Sequence, residues 1–343
     1  MNILVTGNKG YIGPVLSEML MRKGHDIIGY DTDYYDGCEL YPYPQIARQI
    51  RKDIREVTKE DLAGVDAVIH LAGLSNDPLG ELNAGLTEDI NYRGAMQFAR
   101  CAKEAGVKRF LYASSQSMYG IADVSKEVEE DNSDKNPITA YARTKWEAEC
   151  KLKDMGSENF VVTSLRPSTV FGASPNLRCD IVFNNLVACA HTTGRIEIKS
   201  DGTPWRPVIH VQDVSSAFIA CLDAPAELVA GEAFNIGIEN GNYTVRDLAE
   251  AAQRAVPGCS LVFTGEHGPD SRTYKVSFKK ILTRLKDYYR PQWNLDRGGR
   301  ELVDLFRRVN LTEEDFRGRR CIRLRQIRYL LDARKLGNDL HWV

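Results

Sequence analysis

Residues 1–14, M-N-I-L-V-T-G-N-K-G-Y-I-G-P, decide the fold of this 343-residue chain. The apolar run Asn2–Thr6 is typical of a buried β-strand, and a helical stripe of apolar residues follows from Val15 to a natural end at Gly24. Three glycines separate the strand from the helix: Gly7, Gly10 and Gly13. A strand, a glycine-rich turn and a helix in this order predict a βα unit whose turn binds a phosphate group.

Each glycine has a physical role at this spacing. Gly7 allows the tight turn, Gly10 lets the backbone approach a diphosphate, and Gly13 lets the helix pack closely on the strand. The backbone N–H groups near Tyr11 and Ile12 would face the anion at the helix N-terminus.

The second strand-like run, His25–Asp31, ends in a carboxylate at the spacing expected for a group that binds ribose hydroxyls. Asp31 would repel a 2′-phosphate, so the pattern favours NAD over NADP. The alternative is a plain turn followed by a surface aspartate. We interpret this region as a binding site for NAD.

Strand-like and helical patterns alternate as far as residue 167. The further strands expected are Asp66–Leu71, Arg109–Ser115 and Phe160–Arg166, and the further helices are Asp89–Ala105 and Tyr141–Asp154. Such alternation predicts an α/β fold, a Rossmann-type doubly wound parallel sheet with helices on both faces.

The pattern loosens after residue 167. Short strands are expected at Arg195–Lys199, Ala233–Ile236 and Ser260–Thr264, with helices around Val211–Leu222 and Thr244–Ala255. We therefore expect an NAD-binding domain at 1–167 and a smaller C-terminal α/β substrate-binding region at 168–343, which ends in a helical tail. We expect the chain to cross back to the first domain around 205–238.

Composition excludes several classes of protein. A net charge of −2 gives no overall attraction to nucleic acid or to an anionic membrane, and no apolar run approaches the roughly 20 residues that cross a bilayer. The eight cysteines are scattered without a C-x-x-C pair, which argues against a zinc site and against disulfides. We expect no metal, no signal peptide and a cytoplasmic location. The arginine-rich stretch 317–328 is expected to be a surface helix or part of a contact with an anion or a subunit.

Tyr141 and Lys145 are four residues apart on a predicted helix, so both side chains project from one face. An ammonium about 6 Å from a phenol, at an effective dielectric near 20, favours the phenolate by roughly 3 kcal/mol, or about two pK units. Tyr141 then becomes a credible base for an alcohol hydroxyl, and Ser115, at the end of a predicted strand, can hold that hydroxyl. The alternative is a tyrosine–lysine pair on a helix surface.

Together these motifs resemble those of the extended short-chain dehydrogenases/reductases, and more narrowly the NAD-dependent nucleotide-sugar epimerase/dehydratase family. The resemblance covers most of the chain and rests on the following features: the three glycines, Asp31, H-L-A-G (70–73), Asn91, S-S-Q-S-M-Y-G (114–120) and Y-A-R-T-K (141–145).

The resemblance implies roles for particular residues. Asp53 and Ile54 would contact the adenine, and Lys145 would also hold the nicotinamide ribose. Four further residues would lie along the cofactor: Leu71, Ala72, Gly73 and Pro167. Matching the loop backwards from Tyr119-Gly120 makes Ser115 the catalytic hydroxyl.

The resemblance also implies a nucleotide-sugar side. The residues it matches to substrate contacts are Ser115, Gln116, Thr169, Asn185, Arg206 and Arg272. The two arginines would pair with the diphosphate, because a guanidinium fork matches phosphate oxygens. For each arginine, a surface or interface ion pair is the alternative.

Three reactions of the family share oxidation at C4 of the sugar. Dehydratases carry an aspartate–glutamate pair where this chain has Gln116 and Ser117, neither of which titrates near neutral pH. Dehydration is therefore disfavoured. A 4-epimerase is expected, a net 4-dehydrogenase is the alternative, and a non-catalytic NAD-sensing protein would be expected to lose part of the serine–tyrosine–lysine set.

The family also implies a homodimer, through helices at 91–105 and 141–154. Four residues of the first helix would suit such a contact or would equally pack on the sheet: Met96, Phe98, Ala99 and Ala102.

Overall fold

The structure is a computed structural model that describes residues 1–75, 77–80, 83–266 and 273–343. The strands are β1 (Asn2–Thr6), β2 (Asp26–Asp31), β3 (Arg48–Arg51), β4 (Ala67–His70), β5 (Arg109–Ala113), β6 (Glu127–Val128), β7 (Val161–Pro167), β8 (Thr169–Phe171), β9 (Arg195–Ile198), β10 (Trp205–His210), β11 (Ala233–Ile236), β12 (Asn242–Thr244), β13 (Ser260–Phe263) and β14 (Lys275–Val276).

The helices complete the element order. They are α1 (Gly13–Arg22), α2 (Asp77–Gly80), α3 (Ala84–Glu88), α4 (Ala95–Glu104), α5 (Ala140–Met155), α6 (Val182–Thr193), α7 (Val211–Asp223), α8 (Ala226–Val229), α9 (Val245–Ala255), α10 (Lys279–Arg284), α11 (Leu295–Arg308), α12 (Glu313–Arg317) and α13 (Arg323–Asp332). A π-helical segment, Asp89–Gly94, joins α3 to α4, and single 3-10 turns occur at Ile54–Glu56, Glu60–Leu62 and Gln116–Tyr119.

A seven-stranded sheet in the order β11-β7-β5-β4-β1-β2-β3 forms the centre, and every pairing in it is parallel. This confirms the predicted doubly wound α/β fold. Strand β3 escaped prediction because it is an edge strand whose sequence, R-Q-I-R, is polar and largely exposed. It therefore has no apolar pattern to recognise.

Both faces of the sheet are buried, as parallel sheets require. Ile3 and Val5 of β1 belong to one hydrophobic cluster, which α1 and α7 cover, and Leu4 belongs to the cluster on the other face. Met96, Phe98, Ala99 and Ala102 of α4 are buried in the second cluster. They pack inside the chain, which leaves the charged residues of this helix facing outward.

The chain returns to the sheet after its second half has begun. β11 pairs with β7, and α7 packs against α1. The smaller sheets lie outside the central one: β8 pairs with β10, which pairs with β12, while β9 pairs with β13 and β6 with β14. The division of the chain into 1–167 and 168–343 stays a prediction.

The C-terminal tail, which we define as residues 318–343, folds back onto the first half. Ile327, Leu330, Leu336 and Leu340 are buried in the same cluster as Tyr34 and the strands of the sheet. Among the described residues, no helix is long and apolar enough to cross a membrane. No group of three or more His, Cys, Asp or Glu in that part of the chain is arranged to hold a metal ion.

Candidate active site

A cavity of about 500 Å³ lies at the carboxyl ends of the central strands. Residues directly after four strands line it: Gly7 after β1, Leu71 after β4, Ser114 after β5 and Ser168 after β7. The strand order reverses beside β1, and open parallel sheets bind their ligands at such a reversal.

The glycine loop has room for a ligand only because it lacks side chains. Gly7 has φ +68°, and a Cβ on Gly13 would lie 2.3 Å from the Gly7 carbonyl oxygen. Gly10 N–H donates to Gly7 O at 2.9 Å, which closes the turn. The loop therefore fits the close approach of a dinucleotide's diphosphate.

The second half of the chain holds this loop from behind. Tyr11 OH donates to Gly172 O at 2.7 Å, and Asn176 Nδ2 donates to Lys9 O at 2.8 Å. Carbonyl oxygens of the loop thus point to the protein, which leaves the N–H groups near Tyr11 and Ile12 for an anion.

Asp31 ends β2 and lines the cavity, as its position in the sequence leads one to expect. Its two carboxylate oxygens accept hydrogen bonds from Lys9 N at 3.0 Å and Asp33 N at 2.9 Å. Burial raises the pKa of Asp31, and the two backbone hydrogen bonds act against that rise. The carboxylate is thereby fixed at the rim where a ribose would lie.

The other residues matched to the cofactor also line the cavity: Gly10, Asp53, Ile54, Leu71, Ala72, Gly73 and Pro167. Asp53 caps the 3-10 turn that follows and pairs with Arg55 at 2.8 Å. Leu71 and Ala72 donate their N–H groups to Thr6 Oγ1, both at 3.1 Å. The individual roles of these residues stay predictions.

Asn91 shapes the segment after β4. Its side chain accepts from Leu74 N at 2.7 Å and donates to Leu74 O at 3.1 Å, and its oxygen lies 2.8 Å from where a Cβ of Gly73 would be. A buried amide that satisfies a bend of the backbone fixes that bend. Asn91 therefore positions the wall of the cavity.

Ser115, Tyr141 and Lys145 all line the cavity. Thr139 caps the start of α5 by accepting from Ala142 N, which places Tyr141 in the first turn and Lys145 one turn later on the same face. Ser115 lies beyond the end of β5, where its Oγ accepts from Ser117 N at 3.1 Å.

The pKa shifts of Tyr141 and Lys145 differ from those expected from the sequence. Burial raises the pKa of Tyr141, a side-chain hydrogen bond with Ser115 lowers it, and the nearby charges of Asp77 and Arg178 respectively raise and lower it. Lys145 is not among these causes. Its Nζ donates to Ala113 O at 2.8 Å, and burial lowers its own pKa to about 8. The expectation that Lys145 lowers the pKa of Tyr141 by about two units was based on spacing and took no account of the desolvation of both groups.

Gln116 lines the cavity, but its side-chain amide is already hydrogen-bonded within the protein. Nε2 donates to Arg166 O at 2.9 Å and to Ile236 O at 3.4 Å, while Oε1 accepts from Ser168 Oγ at 3.2 Å. Because two backbone carbonyl oxygens face this side chain, the position requires a hydrogen-bond donor. An ionised carboxylate has no proton to donate.

The remaining residues that were expected to contact the substrate do not all line the cavity. Thr169 and Arg206 line the cavity. Asn185 does not: its Nδ2 donates to Cys179 O at 2.9 Å and its Oδ1 accepts from Cys189 Sγ. Arg272 lies outside the described residues. These four assignments stay predictions.

Two buried arginines of the cavity, Arg178 and Arg323, escaped the sequence analysis. Arg178 pairs with Asp180 at 2.9 Å and donates to Ser75 Oγ at 3.2 Å. Its motif, N-L-R-C-D (176–180), carries an arginine two residues before an aspartate, and that local charge pair was the available signal. Arg323 belongs to the arginine-rich stretch 317–328, and the anion contact considered for that stretch did not single out one residue.

Comparisons with known proteins agree with this geometry. The NAD dependent epimerase/dehydratase family matches residues 3–237. A UDP-glucose 4-epimerase of Rhizobium meliloti (strain 1021) is 29% identical over 313 residues, which are 86% of this chain and 93% of the relative. A UDP-glucuronate 4-epimerase of Thermodesulfobacterium geofontis (strain OPF15) is 26% identical over 328 residues, which are 91% and 96%.

Among solved structures, MoeE5 in complex with UDP-glucuronic acid and NAD is similar with a TM-score of 0.75 and 25% identity, covering 90% of this chain and 99% of that one. The family predicted from the motifs, and NAD as the cofactor, are confirmed: the chain belongs to the NAD-dependent epimerase/dehydratase family.

Proposed function

We propose that this protein is an NAD-dependent nucleotide-sugar 4-epimerase. The observation that carries the proposal is that Ser115, Tyr141 and Lys145 line one cavity together with the glycine loop and Asp31. The two 4-epimerases among the relatives support the same reaction. The complete trio also disfavours an NAD-sensing protein without catalysis.

The chain's own groups supply binding and proton transfer. NAD, when bound, supplies a hydride acceptor next to the sugar carbon. Tyr141 takes the proton of the C4 hydroxyl, and Ser115 holds that hydroxyl by a hydrogen bond. Ser115 and Arg178 act against the rise in the pKa of Tyr141 that burial causes. Lys145, held on Ala113 O, is placed to bind the nicotinamide ribose and to add positive charge.

An epimerisation would be complete once the hydride had been returned to the opposite face of C4 and Tyr141 had given its proton back to the C4 oxygen. A net 4-dehydrogenase would instead release the keto sugar, and the same residues serve its first step. Dehydration would need a further acid and base, and Gln116 in the dehydratase position is neutral and bound to backbone carbonyls. This favours epimerase over dehydratase.

The test is incubation of the purified protein with UDP-glucose, UDP-glucuronate and the corresponding thymidine and guanosine sugars. We expect one of them to give its C4 isomer, detected by NMR, without growth of the reduced-nicotinamide absorbance. Stoichiometric growth of that absorbance with a keto product would establish the dehydrogenase instead. A 4-keto-6-deoxy product would establish a dehydratase.

We further propose a homodimer in the cytoplasm. The α4 residues first considered for a contact are buried within the chain, so a dimer would have to use the outward residues of α4 and α5, among them Arg100, Arg143 and Glu147. Sedimentation equilibrium tests the assembly, and a monomer at micromolar concentration would refute it.

A further inference from the structure

Arg323 of α13 is a buried cation that borders the cavity. The residue is 3% exposed, and it lines the cavity together with the glycine loop. Its NH1 donates to Asn176 Oδ1 and its NH2 to Asn176 O, both at 2.8 Å. The guanidinium also lies over the Tyr35 ring, 3.9 Å from the centroid.

The charge of this guanidinium is not neutralised by a neighbouring carboxylate. Burial lowers the pKa of Arg323. Within the described residues, no Asp or Glu forms an ion pair with it, and Asp180 pairs with Arg178. Two buried guanidiniums thus lie beside the cavity, and the carboxylate of Asp180 pairs with only one of them. A buried charge without a counter-ion is costly unless an anion joins it.

The position of Arg323 indicates which anion. Asn176, which binds Arg323, also donates to Lys9 O in the glycine loop. Tyr35, on which Arg323 stacks, belongs to the loop after Asp31 and lines the cavity. Arg323 therefore lies between the loop that follows β2 and the glycine loop, whose N–H groups would face the diphosphate of a dinucleotide.

We propose that Arg323 binds the diphosphate of NAD, so that the C-terminal tail forms part of the cofactor site. The inference rests on the NAD cofactor of the family and not on which sugar reaction the enzyme performs. A planar fork with two donors committed to Asn176 still offers its remaining N–H groups to a phosphate oxygen.

The tail is anchored on both halves of the chain, which couples its docking to the cofactor site. Cys179 N donates to Cys321 O at 2.9 Å, Gln326 Nε2 donates to Tyr34 O at 2.9 Å, and Trp342 Nε1 donates to Thr32 O at 2.6 Å. NAD bound under this tail should stabilise it, and the docked tail should slow the release of NAD.

The test compares Arg323→Met with Arg325→Met, an exposed residue of the same helix. Calorimetry gives the Kd of NAD, ADP-ribose, adenosine and UDP for each variant. We expect Arg323→Met to weaken the binding of NAD and ADP-ribose by about 10- to 100-fold, the usual range for a lost charge-assisted hydrogen bond. Adenosine and UDP should bind as before, and Arg325→Met should match the wild type.

Three outcomes would overturn the proposal. The first is an unchanged Kd for NAD. The second is a loss of affinity confined to UDP, which would place the substrate's diphosphate on Arg323. The third is an equal loss of affinity for adenosine, which would mean that Arg323 has a structural role only. If Arg323→Met fails to fold, Arg323→Lys is measured in the same way. It keeps the charge but not the fork, and we expect a loss of several-fold for NAD and ADP-ribose alone. None of these readouts depends on sugar turnover, so failure of the epimerase proposal would leave them intact.

Discussion

Two regions of the chain reach the same cavity by different physical routes. The strand-end region, which we define as the residues just after β1, β4, β5 and β7 together with helix α5, does so locally. Gly7, Leu71, Ser114 and Ser168 each follow directly after a parallel strand, and α5 packs against β7. The tail does so by docking: α13 is far along the chain and reaches the cavity only because contacts with Tyr34, Asn176 and Cys179 hold it there. The proposed catalytic groups come from the first region, and the uncompensated charge of Arg323 comes from the second.

The sharpest test of the strand-end region is Tyr141→Phe. Removing the phenol oxygen removes the proposed base, while the ring continues to fill its half-buried position, so kcat should fall by about 10³-fold, within the range of general acid–base catalysis. The Kd of NAD should stay within a few-fold of the wild type. Turnover assays with calorimetry on the same preparation measure both, and a variant that keeps more than a tenth of wild-type kcat would remove Tyr141 from the mechanism.

Residue patterns predicted which residues of the strand-end region line the cavity, because each of them is tied to a local feature. Gly13 must lack a side chain since the Gly7 carbonyl lies where its Cβ would be, and Tyr141 and Lys145 share a helix face by spacing alone. Such features leave marks within a few residues.

The arginine-rich stretch 317–328, which runs into the tail, was a weaker signal, because it did not show which arginine reaches the cavity. R-L-R-Q-I-R (323–328) contains three arginines, and only long-range packing decides that Arg323 is buried while Arg325 and Arg328 are exposed. Protonation was equally hidden, because the pKa of Tyr141 depends on desolvation by parts of the chain that spacing does not reveal. Sequence patterns therefore predicted many of the residues that line the cavity, but neither their electrostatics nor the enclosure of the cavity by the tail.

Glu149→Gln should cause the largest loss of stability in the strand-end region. Glu149 of α5 binds Arg166 of β7 with both partners buried, and Arg166 also donates to Tyr119 OH at 2.8 Å. Removing one charge leaves the other buried and unpaired, which costs about 3–5 kcal/mol of the free energy of unfolding. Urea denaturation measures the loss.

The control for this pair is Glu147→Gln, an exposed residue of the same helix, which should change stability by less than about 0.5 kcal/mol. The double variant Glu149→Met with Arg166→Met should lose less than the sum of the two single changes, because no charge remains uncompensated. A full additive loss would show that packing, and not the ion pair, joins α5 to β7.

Lys145→Met should stabilise the fold while it impairs turnover. Burial lowers the pKa of Lys145 from 10.5 to about 8, so the folded chain holds this charge at a cost at neutral pH. A pKa shift of that size corresponds to a few kcal/mol of stability that the variant regains. Part of this gain is offset because Ala113 O loses its hydrogen-bond donor in the variant. We expect the free energy of unfolding to rise by about 1–2 kcal/mol.

The pH dependence gives Lys145→Met a second readout. Between pH 8 and 10.5 the unfolded chain binds the lysine proton and the folded chain does not, so wild-type stability gains from this group as pH rises through that window. Below pH 8 both states are protonated and the advantage of the variant is constant. The difference between variant and wild type should therefore shrink from pH 8 upward, and a difference that is flat to pH 10.5 would contradict the burial of a charged Lys145.

The smallest effect, and the one that probes the tail, is expected for Tyr34→Phe. Tyr34 OH donates to the buried carbonyl of Leu340, so its removal leaves that carbonyl without its donor and should cost about 1 kcal/mol of the free energy of unfolding. If the tail encloses the cofactor, the same change should also speed NAD release a few-fold, measured by stopped-flow displacement. Tyr329→Phe, on the exposed side of α13, is the matched control and should alter neither quantity. Faster release without a change in kcat would separate the tail from the strand ends by function as well as by position, whereas equal release rates in Tyr34→Phe and wild type would mean that the docked tail does not control the cofactor.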